Sequence, residues 1–333
     1  MAVLVTGGAG YIGSHTAVAL GETGRDVVIV DNFVNSSPRA VDAVRALTTA
    51  EVALVEADLC DGDAVRRVFA RHPITEVVHF AAYKAVAESV DEPLAYYRNN
   101  LDSLLGLLEA MLDNGVGRLV HSSSCTVYGQ PEVLPVSESA PVGAESPYGR
   151  TKLMSEQIIT DVCAVRPMDA MMLRYFNPVG AHPSGEIGED PAGEPANLVP
   201  RIMLAAAGRA ERLRVYGGDY DSTDGTAVRD YVHVMDLAEG HAAALDADIA
   251  PKRSRVYNLG TGSGTTVLQV LAAAAYAVGA PIPHEIAERR PGDVEACWAD
   301  CTRAREELAW QARRTLPQML ADHWHFASRP RQQ

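Results

Sequence analysis

The residues best suited to moving a proton lie in Tyr148-Gly149-Arg150-Thr151-Lys152. Ser146 is a good helix N-cap and Pro147 suits the first helical position, so the spacing predicts that Tyr148 and Lys152 share a helix face one turn apart. A lysine about 5 Å from a phenol, at an effective dielectric near 20, favours the phenolate by about 3 kcal/mol, or roughly two pK units below its usual value near 10. Such a tyrosine exchanges a proton with an alcohol near neutral pH. Accident is a poor explanation: with 12 tyrosines and only Lys84, Lys152 and Lys252 in 333 residues, about 0.1 such pairs are expected by chance. The hydroxyl-rich Ser122-Ser123-Ser124 closes an apolar run just upstream.

A second constellation opens the chain. Ala2-Val3-Leu4-Val5-Thr6 runs into Gly7-Gly8-Ala9-Gly10-Tyr11-Ile12-Gly13, and Asp31 closes a second apolar run 18 residues past Gly13. An apolar strand, a tight glycine turn and a helix whose first N–H groups point outward make a pyrophosphate site, and a carboxylate at that later position accepts from adenosine ribose hydroxyls. Glycine-rich turns alone occur in many loops that bind nothing; the strand, helix and acid in register make this one informative. Asp31 would repel a 2′-phosphate, and Asn32 and Phe33 supply no compensating cation, which favours NAD over NADP.

The elements that must hold these groups alternate. Strand-like runs at Ala2–Thr6, Asp26–Val30, Val52–Glu56, Glu76–Phe80, Arg118–Ser122 and Ala170–Tyr175 are separated by helical stretches. That alternation predicts an α/β fold with a doubly wound parallel sheet, with function at the carboxyl ends of the strands. The rhythm breaks in the proline- and glycine-rich stretch 177 to 197, which reads as a boundary and substrate loop. The expected organisation is a dinucleotide domain over 1–176 and a smaller α/β substrate-binding domain over 177–333, with segments such as 228–245 able to return to the first. Leu198–Ala210 reads as helix, Val228–Leu245 as a strand entering a helix capped by Asp236, and the end of the chain as a fraying polar tail.

Bulk properties bound the rest. Hydrophobic residues are 47%, charged residues 22% and the net charge is −14, which argues against nucleic-acid or anionic-membrane partners. No run of eighteen apolar residues and no charged leader is visible, so the expectation is a cytoplasmic protein. Cys60, Cys125, Cys163, Cys297 and Cys301 contain no CxxC, and the histidines form no HxxxH or HExxH pair, so neither disulfides nor a metal site is indicated. Cys297 and Cys301 could lie one helical turn apart. His79, His121 and His233 read as core or rim histidines.

With these residues in view, the chain resembles the extended short-chain dehydrogenases/reductases, and within them the branch that epimerises UDP-glucose and UDP-galactose at C4. The resemblance runs through TGGAGYIGSHT (6–16), HFAAYKAVAESV (79–90), YYRNN (96–100), SSSCTVYG (122–129), SPYGRTKLMSEQI (146–158), LRYFNPVGAHPSG (173–185), GTAVRDYVHVMDLA (225–238) and RRPGDVEACWAD (289–300). It implies a Rossmann domain and a tightly held NAD on Gly7, Gly10, Tyr11, Ile12, Gly13, Asp31, Asn32, Asp58, Leu59, Phe80, Ala81, Lys84, Asn99, Tyr148, Lys152 and Tyr175. It makes Tyr148, Lys152 and Ser124 catalytic, and sets Asn177, Asn197, Leu198, Tyr216, Arg229, Arg290, Asp293 and Cys297 against the UDP-sugar.

Two arginines suit a diphosphate and Asp293 suits ribose hydroxyls. Dehydratase relatives need an Asp-Glu pair where this chain has Cys125 and Thr126, which argues against water elimination; another nucleotide-sugar epimerase, or a silent NAD sensor, are the alternatives. Cys297 matches a position where many bacterial members carry tyrosine, so a UDP-N-acetylhexosamine is a further expected substrate. The resemblance also implies a homodimer built on residues 93–114 and 148–164, through Leu101, Leu104, Leu105, Leu108, Ile158, Ile159 and Val162, which are equally plausible core residues, and a role in galactose metabolism.

Overall fold

The computed structural model describes residues 2–191, 193–248, 253–290 and 293–329. Its centre is a seven-stranded, all-parallel sheet. The strands are β1 (Ala2–Thr6), β2 (Asp26–Asp31), β3 (Val52–Glu56), β4 (Ile74–His79), β5 (Arg118–Ser124), β6 (Asp169–Tyr175) and β11 (Ser254–Leu259), in the spatial order β11-β6-β5-β4-β1-β2-β3. Strand order reverses between β1 and β4, so their carboxyl ends part and leave a crevice there. Buried runs such as AVLVT in β1 are apolar throughout because helices cover both faces of the sheet.

The crossover helices are α1 (Tyr11–Glu22), α2 (Pro38–Leu47), α3 (Gly62–Arg71), α4 (Val86–Asp91), α5 (Pro93–Asp113) and α6 (Pro147–Val165), joined on the sheet by α8 (Val234–Asp246). One apolar layer gathers α1, α2, α8 and Trp310 against the sheet, and the other gathers α3, α5 and α6. Leu104, Leu108 and Ile159 are buried in this second layer and are therefore not available to a dimer face, whereas Leu105 is 43% exposed.

A smaller layer of short strands and helices sits beyond the sheet's carboxyl edge: β7 (Asn177–Val179), α7 (Leu198–Ala206), β8 (Leu213–Tyr216), β9 (Val228–Arg229), β10 (Tyr231–His233), β12 (Thr265–Thr266), α9 (Val267–Val278), β13 (His284–Ala287), β14 (Ala296–Cys297) and α11 (Leu316–Ala327), while α10 (Thr302–Glu307) packs on β11 in the first apolar layer. Here β7 pairs with β10, β8 with β13, and β9 lies between β12 and β14. A third apolar cluster joins α7, α9 and α11.

Four expectations change. The strand β11 was not anticipated; it extends the sheet beside β6, in register from Ser254 with Ala170 to Leu259 with Tyr175. The cap of α8 is His233, whose Nδ1 accepts from Met235 N at 3.0 Å. Asp236 instead sits inside the first turn, where the Arg313 and Arg314 backbone N–H groups, at 3.1 and 3.0 Å, and the Arg314 guanidinium take its carboxylate. Cys297 lies in β14 and Cys301 caps α10, so they share no helix. The helix expected to Ala210 ends at Ala206. The expected fraying tail beyond residue 329 lies outside the described residues.

Candidate active site

The sheet's carboxyl edge holds the glycine turn. Gly7 has φ +65°, a left-handed conformation that costs glycine little. A Cβ on Gly13 would lie 2.3 Å from the Gly7 carbonyl oxygen, and one on Gly7 would lie 2.8 Å from Ala81 N. The glycines thus let β1, the start of α1 and the chain after β4 touch. A Cβ on Gly10 meets only the Gly7 oxygen, at 3.1 Å. Gly10 is also the N-cap of α1 and offers no side chain to its first N–H groups, which leaves them for an anion.

Asp31 ends β2 next to this turn. Its carboxylate accepts from Ala9 N and Phe33 N, both at 3.0 Å, and from the Ser36 hydroxyl at 2.7 Å. A carboxylate has roughly four acceptor positions, so capacity for a ribose hydroxyl remains. Asn32 donates to Asp58 at 3.4 Å, beside buried Leu59. Ile12 packs on the core, and the Tyr11 hydroxyl donates to Gly180 O at 2.6 Å. Phe80 and Tyr175 flank the buried His241 ring at 4.7 and 5.7 Å between ring centres. Asn99 donates to Asn100 at 3.0 Å, and Lys84 Nζ lies 3.3 Å from Glu189. Free amides at a helix start, a close-packed glycine cradle and an acid at the next strand end are a donor set that fits a dinucleotide.

Ser124 closes β5, and Tyr148 and Lys152 project from the first turns of α6. That helix begins as its sequence dictates, with Ser146 Oγ accepting from Gly149 N at 3.1 Å and Pro147 in the first turn. All three side chains are nearly buried. Ser124 lies near enough to the Tyr148 phenol to favour its phenolate, and it accepts from Thr126 N at 3.2 Å and the Thr126 hydroxyl at 3.0 Å. Lys152 Nζ donates to Ser122 O at 2.8 Å, and the Ser122 hydroxyl bonds that of Tyr175.

The expected lowering of the tyrosine by the lysine is not found. Burial pushes the Tyr148 phenol up to about 12, with the neighbouring Ser124 hydroxyl opposing it, and burial pushes Lys152 down to about 8. The ammonium is aimed at a carbonyl and lies 5.9 Å from the Tyr148 ring centre. Desolvation penalises both charged forms and outweighs their attraction.

The expected substrate residues form two groups. Tyr216 ends β8 and stacks under the Arg290 guanidinium at 4.6 Å, while Arg290 and Asp293 pair through bonds of 2.9 and 3.2 Å. Arg229 lies opposite Cys297 in the β9–β14 register and donates Nη1 to Val228 O and Glu295 O at 2.9 and 3.2 Å. Cys297 is buried and its thiol lies near that of Cys125, the neighbour of Ser124, with which it packs in one apolar cluster. Asn177 N donates to Asp230 O at 2.9 Å; Asn197 and Leu198 begin α7. His79 and His121 are stacked core histidines as expected, with His79 Nδ1 2.7 Å from Thr6 Oγ1 and burial holding it down near 3.

Sequence reasoning missed three supporting groups. Thr126 braces Ser124 and was detectable only from its place after the serine run. Asp230 accepts from Thr261, Gly262 and Ala299, tying three loops beside Arg229. Glu189 sits buried between Lys84 and Asn197 and carries no local signal.

Comparison with known proteins places these features in context. The family model described as "NAD dependent epimerase/dehydratase family" matches residues 3–260. The UDP-glucose 4-epimerase of Bacillus subtilis (strain 168) is 51% identical over 98% of this chain and 97% of its own length. The crystal structure of UDP-glucose 4-epimerase from Bifidobacterium longum in complex with NAD+ and UDP superposes with a TM-score of 0.94 at 49% identity, covering 98% of both chains. That of UDP-glucose-4-epimerase from Stenotrophomonas maltophila, with bound NAD and formylated UDP-arabinopyranose, gives 0.95 at 45% identity, again covering 98% of both.

Proposed function

The chain belongs to the NAD dependent epimerase/dehydratase family, and on that premise we propose that it is an NAD-dependent isomerase interconverting UDP-galactose and UDP-glucose at C4. The observation that carries the mechanism is the meeting of Ser124, Tyr148 and Lys152 at the carboxyl edge of the sheet that also holds the glycine turn. When bound, NAD supplies a hydride acceptor and later donor at the sugar C4 and, while oxidised, a positive charge near Tyr148.

The protein's own part is proton transfer and holding. Burial raises the Tyr148 phenol, so its use as a base requires added positive charge nearby. As phenolate it takes the O4 proton, with Ser124 sharing that hydrogen bond. Lys152, anchored on Ser122 O, supplies a fixed cation that stabilises the phenolate and holds the nicotinamide ribose. Arg229 and Arg290 grip the diphosphate, Asn177, Asn197, Leu198 and Tyr216 hold the nucleotide, and Asp293 takes ribose hydroxyls once substrate releases it from Arg290. Held by its nucleotide end, the 4-keto sugar turns its other face, and Tyr148 returns the proton to O4.

Thr126 spends its hydroxyl on Ser124, and the Cys125 thiol beside buried Cys297 is raised well above its usual range, so neither supplies the acid that water elimination needs. The reading extends to a boundary near residue 176, with β11 and α8 rejoining the cofactor domain, and to a homodimer through α5 and α6, where Leu94, Leu105 and Met154 are exposed. Among the described residues no helix is long and apolar enough to cross a membrane; work in the cytoplasm, in galactose metabolism, completes the proposal.

The test is incubation of the purified protein with UDP-galactose and no added cofactor. UDP-glucose should form, and denatured protein should release NAD. Stoichiometric consumption of added NAD during turnover would refute the epimerase mechanism.

A further inference from the structure

Asn197 occupies the N-cap of α7, where asparagine ordinarily accepts from an N–H of its own helix. Here it makes no such bond. Its Nδ2 instead donates at 2.7 Å to Glu189 Oε1, and the same oxygen receives Lys84 Nζ at 3.3 Å. The Glu189 side chain is only 5% exposed, and its other oxygen, also buried, has no partner. A buried carboxylate so sparsely satisfied is a costly way to stabilise a fold. It is an effective way to hold two side chains.

The backbone around Glu189 has little freedom to drift. A Cβ on Gly188 would lie 2.3 Å from the Phe326 ring of α11, and His182 N donates to Ile187 O at 3.1 Å. On the other side lies Tyr11, in the first turn of α1, whose phenol is raised by burial first and by the nearby Glu189 carboxylate second. The carboxylate therefore sits between the cofactor turn and the start of α7.

We propose that Glu189 is a positioning residue for the UDP-sugar. By taking one amide N–H of Asn197 it fixes which end of that amide carries the free acceptor, keeps the side chain off the N–H groups of α7, and ties it to Lys84 on the cofactor side. This rests on the function proposed above. An uncapped α7 beside a fixed Asn197 is ready to receive a phosphate-bearing nucleotide. An Asn197 freed from Glu189 folds back onto its own helix and competes with that ligand.

The experiment is steady-state kinetics of the NAD-loaded protein with UDP-galactose, alongside melting temperatures, for Glu189→Ala, Glu189→Gln, Asn197→Ala and the Glu189→Ala/Asn197→Ala pair. The expected result for Glu189→Ala is a KM raised about tenfold, the size of one hydrogen bond to a charged group, with kcat changed much less. Glu189→Gln keeps an acceptor for Asn197 and should restore KM to within about threefold of the parent. The double variant should be no worse than Asn197→Ala, because both act through one contact. Glu186→Gln, which breaks an exposed pair with Arg329 on the same segment, should leave KM unchanged. A Glu189→Ala KM within about twofold of the parent, no rescue by glutamine, or additive effects would overturn the inference. A parent protein that fails to epimerise UDP-galactose overturns the proposed function instead, so the two failures are distinguishable.

Discussion

The cofactor side and the substrate side of this molecule are built in different ways. Around Gly7, Gly13 and Asp31 nearly every contact is backbone to backbone or backbone to a buried carboxylate, and the cradle is closed to within van der Waals contact. Around Arg290 and Asp293 the contacts join side chains to each other; the arginine side chain is 52% exposed and is paired with an acid three residues away. One side is shaped before any ligand arrives. On the proposed reading, the other is a set of mutually satisfied charges that a diphosphate and a ribose would rearrange, which would suit a sugar that has to turn during the reaction. Changes on the first side should therefore cost cofactor and fold together, and changes on the second should alter substrate handling while leaving bound NAD in place.

The largest expected effect is from Gly13→Ala. Its new methyl would meet a carbonyl oxygen at 2.3 Å, and backbone on both sides cannot yield cheaply. Loss of NAD from the purified protein and activity below detection are expected, read by absorbance of the cofactor released on denaturation; a parental NAD content would break the comparison. Next is Tyr148→Phe, which keeps the ring and removes the proton acceptor. Turnover should fall about 100-fold or more with KM little changed. Activity within a few-fold of the parent would remove Tyr148 from its role.

Lys152→Met sharpens the comparison by separating activity from stability. Lys152 titrates near 8 when folded and near 10.4 when unfolded, so the unfolded chain binds the proton more tightly. The buried charge then costs stability below pH 8, and the cost fades as pH rises from 8 to about 10.4. Urea unfolding without NAD should find the methionine variant more stable at pH 7, by up to about 3 kcal/mol, with the gap closing near pH 10, while activity is lost. A variant less stable at pH 7 would contradict this.

The smallest effect on the main reaction is expected from Cys297→Tyr, on the substrate side. Parental protein should turn over UDP-N-acetylglucosamine beside UDP-galactose; the phenol ring should abolish the first, change the second only a few-fold and leave bound NAD untouched. Absence of N-acetyl turnover in a fully active parent would end the idea.

Most of the sheet was legible because its strands are buried on both faces and read as unbroken apolar runs. The exception is β11, SRVYNL, whose Ser254, Arg255 and Asn258 break the apolar run at the edge of the sheet and whose partner, β6, lies some eighty residues earlier. No local pattern reports such a pairing. Asp236 has the composition of a cap but the position of a buried anchor for Arg314, a distinction made 78 residues away. Burial likewise reversed the expected phenolate.

What the sequence by itself determined was whatever depends on backbone and spacing: the glycine turn, where only a missing Cβ lets strand and helix touch, and the helix that starts at Ser146 and aligns Tyr148 with Lys152 one turn later. Those requirements are local and leave a signature in residue type. Tertiary structure alone decided the charge states of Tyr148 and Lys152, the diversion of Asn197 from its helix to Glu189, and the stacking of Arg290 on Tyr216. Each depends on desolvation, or on a partner brought in from elsewhere in the chain, and burial and proximity are properties of the folded arrangement.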